Sequence, residues 1–322
     1  MNSTLILSIA AEARERRDAR HDAWFRRLLL AAALLVVLAL LGAALATLWG
    51  GREVLFGQGL DFLASSRWDP VAGEFGALAP VYGTLVTSAV ALVLAVPMAF
   101  GVALFLTEVA PPWLRGPVAT AIELLASIPS IIYGMWGLTV FVPFMARIEP
   151  ALSATLGRLP LVGALFQGPP LGLGLLTAGI VLAVMILPFI AAVMREVFSS
   201  VPRELKESAR ALGATTWEVA WHIVLPYTRP AVIGGIFLGL GRALGETMAV
   251  TFVLGNAFDI TASLLMPGTS ISSAIANEFN EAVGLHRSAL LALGFLLFVV
   301  TFLVLLAARL LLRRLARREG TG

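Results

Sequence analysis

Six long apolar stretches dominate this chain, and each is long enough to cross a membrane. They are Leu28–Trp49, Gly83–Leu106, Val118–Phe144, Leu171–Met194, Ala231–Leu254 and Ala289–Leu312. About 20 helical residues span the roughly 30 Å of hydrocarbon in a bilayer. A strand reading fails, because the runs are rich in Leu and Ala and lack period-two alternation. Apolar residues are 59% of the 322 and charged residues 13%, too apolar a balance for a water-soluble core. The fold class is therefore an all-α polytopic membrane protein with six transmembrane helices. Residues 1–27 are too charged, and the first run too long, for a cleaved signal peptide.

Basic residues orient the spans. With the N-terminus in the cytoplasm, the inner segments hold Arg14, Arg16, Arg17, Arg20, Arg26, Arg27, Arg115, Arg195, Arg203, Lys206, Arg210 and Arg229, and the tail adds Arg309, Arg313, Arg314, Arg317 and Arg318. Outside fall Arg52, Arg67, Arg147, Arg158 and Arg287. This excess predicts both termini inside. The basic ends serve simply to hold the helices against anionic lipid, or they meet a specific partner. There is no cysteine, hence no thiolate metal site. His21, His222 and His286 all lie outside the apolar runs, which argues against a buried histidine proton relay.

Between the fourth and fifth runs lies a polar island. Pro202 and the acidic residues after it suit a helix start, and Gly213 suits a helix end. Thr215-Thr216-Trp217-Glu218 offers a second capped start, which Leu225-Pro226 closes. The expectation is helix, glycine turn, helix on the cytoplasmic face, with Leu205, Ala209, Leu212 and Trp217 exposed to fill a groove on another protein. An ordinary amphipathic interfacial hairpin is the alternative.

The spacing favours a partner. Glu207-Ser208-Ala209, then Gly213, then Ile223, Leu225 and Pro226, resembles the EAA loop of ABC importer permeases, with Ser208 where that pattern has alanine. The resemblance implies that residues 203–226 are coupling helices seated on an ATP-binding subunit dimer. The chain cannot supply that ATPase: a phosphate-binding loop needs Gly-Lys-Ser/Thr, and the only lysine, Lys206, follows Leu205. No cofactor is expected on this chain; ATP and Mg belong to the partner.

Arg242 falls at the middle of the fifth run, where an arginine costs roughly 2.5–3.5 kcal/mol on insertion scales. Glu246 follows at i+4, on the same helical face, with Gly235, Gly239 and Gly245 allowing close approach of another helix. The pair pins two helices structurally, or Arg242 attracts an anion in transit. Guanidinium matches phosphate with two parallel hydrogen bonds. Glu246 would keep the empty site near neutral and accept a hydrogen bond from a protonated oxyanion.

Residues 239–250, Gly-Leu-Gly-Arg-Ala-Leu-Gly-Glu-Thr-Met-Ala-Val, resemble the fifth-helix signature of phosphate importer permeases of the PstC type. So do residues 82–88, Tyr-Gly-Thr-Leu-Val-Thr-Ser, and 127–134, Ser-Ile-Pro-Ser-Ile-Ile-Tyr-Gly. The resemblance implies a type-1 ABC importer permease fold over residues 81–309, preceded by an added first helix at 28–49 and an external loop at 50–80, and followed by a basic tail at 310–322. It implies an ATP-driven inorganic phosphate importer in the bacterial inner membrane, with no covalent chemistry in this chain. The partners implied are a second, PstA-type permease, the ATPase dimer, and a periplasmic or surface phosphate-binding protein. Lipid surrounds the spans; nucleic acid is not expected.

The pathway candidates are Arg242, Glu246, Thr247, Ser127 and Ser130. Pro129 kinks the third run, where the neighbouring serines can satisfy the freed carbonyl, as a packing device or as pathway lining. Glu123 reads as interfacial or paired with a neighbour. The external loops 50–81, 145–170 and 255–288 could seat the binding protein. Asn256, Asp259, Asn277, Glu278 and Glu281 match no oxygen-ligand spacing, so no metal is expected. The rivals are a permease for sulfate or molybdate, a proton-coupled carrier using Glu246, and a membrane scaffold in which Arg242 only pins helices.

Overall fold

The computed structural model describes the backbone of residues 3–160 and 162–318, and the side chains of residues 21, 22, 24–160 and 162–310. The side chains of Arg14, Arg16, Arg17 and Arg20, and of Arg313, Arg314, Arg317 and Arg318, lie outside the described residues. The chain forms two units, residues 1–50 and 51–322. The first is one helix, α1 (Ser3–Gly50), whose segment Trp24–Gly50 is long and apolar enough to cross a membrane.

The second unit opens with α2 (Arg52–Gly57), α3 (Leu60–Ala64) and a two-stranded antiparallel hairpin, β1 (Trp68–Asp69) and β2 (Glu74–Phe75). The Asp69 carboxylate accepts from the backbone N–H groups of Val71 and Ala72 and so builds the hairpin turn. Then follow α4 (Leu78–Leu104), which runs on through a π turn to Val109, α5 (Pro112–Ala126), α6 (Ser130–Trp136), a π turn, and α7 (Val142–Thr155). The remainder is α8 (Leu175–Ser199), α9 (Arg203–Ala211), α10 (Thr216–Val219), a π turn over Ala220–Val224, α11 (Leu225–Leu244), α12 (Met248–Leu254), α13 (Ile271–Glu278) and α14 (Gly284–Arg318).

Helices α4 and α8 form the packed centre of this unit. Ala91, Ala95, Ala99 and Ala103 recur every fourth residue, which puts them on one face of α4, and all four are fully buried. Their small side chains let α8 come close, as helices in lipid need for van der Waals contact. The two helices run parallel. Their starts are tied to the loop after α12: the Tyr82 hydroxyl donates to the Thr261 carbonyl, and the Leu176 N–H to the Leu264 carbonyl. The Thr84 hydroxyl accepts from the Ile271 N–H at the start of α13. Gly83 lies so near the Thr269 carbonyl that no side chain fits there. The segment 82–88 is thus a joint between α4 and the 261–271 loop.

Six helical segments have the length and composition of spans: Trp24–Gly50, Leu78–Val109, Ser130–Arg158, Leu175–Ser199, Thr216–Leu244 and Gly284–Leu310. Six spans therefore stand, with two changes of extent. The third begins at Ser130, because Pro129 ends the preceding turn rather than kinking a continuous helix. The last carbonyls of α5 accept from side chains as well as from the closing backbone turn: the Ser127 hydroxyl donates to Leu124 O at 2.7 Å and the Tyr133 hydroxyl to Leu125 O at 2.9 Å. The same span continues through Arg147, Glu149 and Pro150 to Thr155, so the expected outer loop 145–170 is helical over its first part. Glu149 is buried there; its Oε2 accepts from the Gly172 N–H at 2.8 Å, while Oε1 is buried without a hydrogen-bond partner among the described residues.

The fifth run is not one helix. It breaks over Gly245-Glu246-Thr247, between α11 and α12. Gly241 and Gly245, four residues apart, weaken the ladder, and a 3.3 Å bond from Gly245 N–H to Gly241 O and a 3.4 Å bond from Glu246 N–H to Ala243 O remain at the break. The span instead extends backwards to Thr216, so Leu225-Pro226 does not close a separate helix. Pro226 has no N–H to give, and the preceding turn widens so that the Leu225 N–H bonds to Ala220 O, five residues back.

Candidate functional site

Arg242 is the third-last residue of α11 and is exposed in the isolated chain. Its guanidinium carbon lies 5.7 Å from the centre of the Phe189 ring. Phe189 is the fifteenth of the 25 residues of α8, so the guanidinium sits near the middle of a membrane-length helix. A cation over an aromatic face gains electrostatic attraction with little loss of hydration. Tyr133 of α6 is also within electrostatic reach of Arg242.

Glu246 does not pair with Arg242. No hydrogen bond or ion pair joins them among the described residues, because the helix that would have put them on one face ends at Leu244. The Glu246 carboxylate turns to the start of α12 and accepts from the Ala249 N–H at 3.1 Å. The Ser272 hydroxyl on α13 donates to the Glu246 backbone carbonyl at 2.6 Å, which fixes the break against the next helix. Thr247 is half-buried and its hydroxyl donates to Gly245 O at 3.4 Å. The guanidinium thus keeps its donors free, beside a carboxylate held by backbone. Broken helices at mid-depth recur where transporters hold substrate.

The glycines divide. Gly235 and Gly239 pack on Val193 and Ile190 of α8, while Gly245 lies beyond the helix end and shares no face with them. On the other side, α6 meets α12 closely: a side-chain carbon at Gly134 would collide with the Met248 carbonyl and the Phe252 ring. Ser130, half-buried, is one turn before Gly134 and so belongs to this neighbourhood. Ser127 is exposed, and its hydroxyl is spent on closing α5.

The polar island folds as two helical pieces about Gly213. That glycine has φ +92°, and the next N–H, of Ala214, reaches back to Ala209 O at 3.1 Å. Thr215 begins α10 with a reciprocal cap: its hydroxyl accepts from the Glu218 N–H, and the Glu218 carboxylate accepts from the Thr215 N–H at 2.8 Å. Glu207 and Ser208 face outward, and Leu205, Leu212 and Trp217 are exposed, Leu212 to 90%. Ala209 is not: it packs on the core with Ala214 and Ile223. The reason is its position on the inner face of α9, toward the spans. Between the two helical pieces is a groove of about 350 Å³ lined by Ala209, Leu212, Gly213, Ala214, Glu218, His222 and Ile223. Leu225 is half-buried and Pro226 exposed where the hairpin enters the span. Trp221 stacks on Trp217 at 5.6 Å and enlarges the exposed apolar face.

One group escaped sequence reasoning. Glu108, at the end of α4, binds Lys206 at 2.5 Å and Arg210 at 3.3 Å. Nothing local marks it, since its partners are about a hundred residues away. Glu123 does find a neighbour, Arg195 on α8, at 2.7 Å. At the far end of the unit Glu278 accepts from Trp68 Nε1 and contacts His286 Nε2, each at 2.8 Å, binding the β-hairpin to α13 and α14.

Residues 91–317 match the family described as binding-protein-dependent transport system inner membrane component. The chain belongs to that family. With six membrane-length helices, this permease is a multi-pass protein of the inner membrane. The permease is 62% identical to the phosphate transport system permease protein PstC of Xylella fastidiosa (strain 9a5c) over 99% of this chain and 100% of that protein. It is 39% identical to the probable phosphate transport system permease protein PstC of Methanocaldococcus jannaschii, over 76% of this chain and 79% of that one. Among solved structures it resembles the bacterial alginate ABC transporter in complex with an alginate-bound periplasmic protein, with TM-score 0.62, 22% identity, and coverage of 93% of this chain and 97% of that one. The MetNI methionine ABC transporter gives TM-score 0.54 at 19% identity, covering 73% and 94%. These two likenesses support the type-1 importer permease fold.

Proposed function

We propose that this chain is one of two membrane subunits of an ATP-driven inorganic phosphate importer. The observation that carries the reading is Arg242: a guanidinium at mid-depth, stacked on Phe189 and free of any carboxylate partner among the described residues, in a chain 62% identical to a protein named as a phosphate permease. Its planar fork suits two oxygens of phosphate. Glu246 lies within the break between α11 and α12 and balances charge while the path is empty; Thr247 and Ser130 add hydroxyls nearby. Both termini, and the hairpin with Glu207, Ser208, Ala209, Gly213, Ile223, Leu225 and Pro226, face the cytoplasm on the distribution of basic residues.

In this reading an ATPase dimer, with its ATP and Mg, seats on the exposed Leu205, Leu212 and Trp217 of the hairpin. A soluble binding protein delivers phosphate from outside, and a second permease of related fold completes the path. The chain performs no bond chemistry. The test is phosphate uptake by vesicles holding the assembled transporter. Uptake that needs ATP, ignores a proton gradient and resists excess sulfate supports the reading. Uptake driven by a proton gradient alone, or equal transport of sulfate, overturns it.

A further inference from the structure

The hairpin and the spans meet at one buried carboxylate. Glu108 sits in the π turn that ends the second span, and its side chain is only 2% exposed. One oxygen binds Lys206 Nζ and the other Arg210 Nη2, both on α9. Lys206 is itself mostly buried, at 12% exposure, and Nζ also donates to the Phe198 carbonyl at 3.2 Å. Phe198 is the second-last residue of α8, where backbone carbonyls lack helical partners and carry the negative end of the helix dipole. One ammonium therefore joins three elements: the end of α4, the end of α8 and the docking helix α9. This is the only lysine in a chain whose other cations are arginines. An ammonium offers three rotatable donors from a single point, which suits a junction of three segments better than a planar fork.

A contact of this kind transmits force in a way that apolar contact does not. Lys206 and Glu108 are both largely withdrawn from water, while Arg210 is 44% exposed; pulling the buried pair apart leaves the Glu108 carboxylate poorly compensated, so the elements resist separation and move together. We infer that Glu108 is a positioning residue that locks α9 to the ends of the second and fourth spans, so that movement of the docking hairpin reaches the pathway through these two helices as one rigid body. This rests on the proposed ATP-driven function, and deepens it by naming the transmission point. Glu108 touches neither the groove of the hairpin nor the Arg242 neighbourhood, so its loss leaves docking and substrate contacts in place.

The test uses the assembled transporter in vesicles, reading phosphate moved and ATP hydrolysed together. If the wild type shows no ATP-dependent uptake, the proposed function fails, independently of Glu108. Given wild-type uptake, Glu108→Gln is expected to lower phosphate moved per ATP about tenfold while hydrolysis and co-purification of the ATPase stay within about twofold. A wild-type ratio overturns the inference. Because that variant can also weaken folding, a second one decides: Glu108→Cys combined with Lys206→Cys, with partner subunits cleared of reactive cysteines. This chain has none of its own. Bridging the two thiols with a short cross-linker is expected to restore the ratio toward wild type. No restoration, or a block of uptake on bridging, shows that α9 and the second span do not travel together and overturns the inference.

Discussion

Arg242 faces Phe189, not Glu246. The guanidinium carbon lies 5.7 Å from that ring centre, while the Glu246 carboxylate accepts from the Ala249 N–H. Arg242 stands at the end of α11 and Glu246 within the break that follows, so the two charges do not neutralise each other along one helix. An arginine so placed keeps its fork free of a carboxylate among the described residues, and the aromatic face offsets part of the cost of holding it within the membrane.

Arg242→Lys retains the charge and removes the fork. Uptake is expected to fall about tenfold or more, the effect of losing one bidentate pair. Phosphate uptake at constant protein abundance reads this directly, and a wild-type rate would mean that charge alone suffices.

Glu246→Gln keeps an oxygen able to accept from the Ala249 N–H, so the break should persist while its charge is lost. The expected outcome is normal abundance with weaker discrimination between phosphate and fully ionised sulfate. Competition of sulfate against labelled phosphate measures it. Unchanged discrimination would leave Glu246 with a cap role only.

Gly83→Ala would drive a methyl group into the Thr269 carbonyl. Backbone must move to admit it, a cost of about 1–3 kcal/mol. A lower thermal midpoint in detergent is expected, with loss of the joint between α4 and the 261–271 loop.

Gly213→Val places a β-branched residue at φ +92°. That backbone region costs about 1–3 kcal/mol for a side chain. The hairpin should lose its turn while the spans remain folded, so co-purification of the ATPase falls more than the abundance of the permease.

Much of this was legible in the sequence because lipid imposes strong rules. Length and apolarity fixed six spans, and Gly213 and the Thr215–Glu218 cap were visible as local signals. The fifth span misled for a physical reason: hydropathy runs unbroken through Gly245-Glu246-Thr247, yet the backbone ladder does not. Helical periodicity then put Arg242 and Glu246 on one face of a helix that ends between them. Ala209 looked exposed on a polar segment, but α9 lies with that residue against the core. Glu108 could not be found at all, because an isolated carboxylate gives no hint of partners at Lys206 and Arg210.

The most direct measurement is a cross-link from the hairpin tip. Leu212, 90% exposed in a chain without cysteine, accepts a single thiol as Leu212→Cys. In the natively assembled transporter, a photoreactive label on that thiol should capture an ATP-hydrolysing subunit, and the yield should change as ATP is bound and spent. Capture of lipid alone, with no ATPase attached anywhere along residues 203–226, would contradict the account.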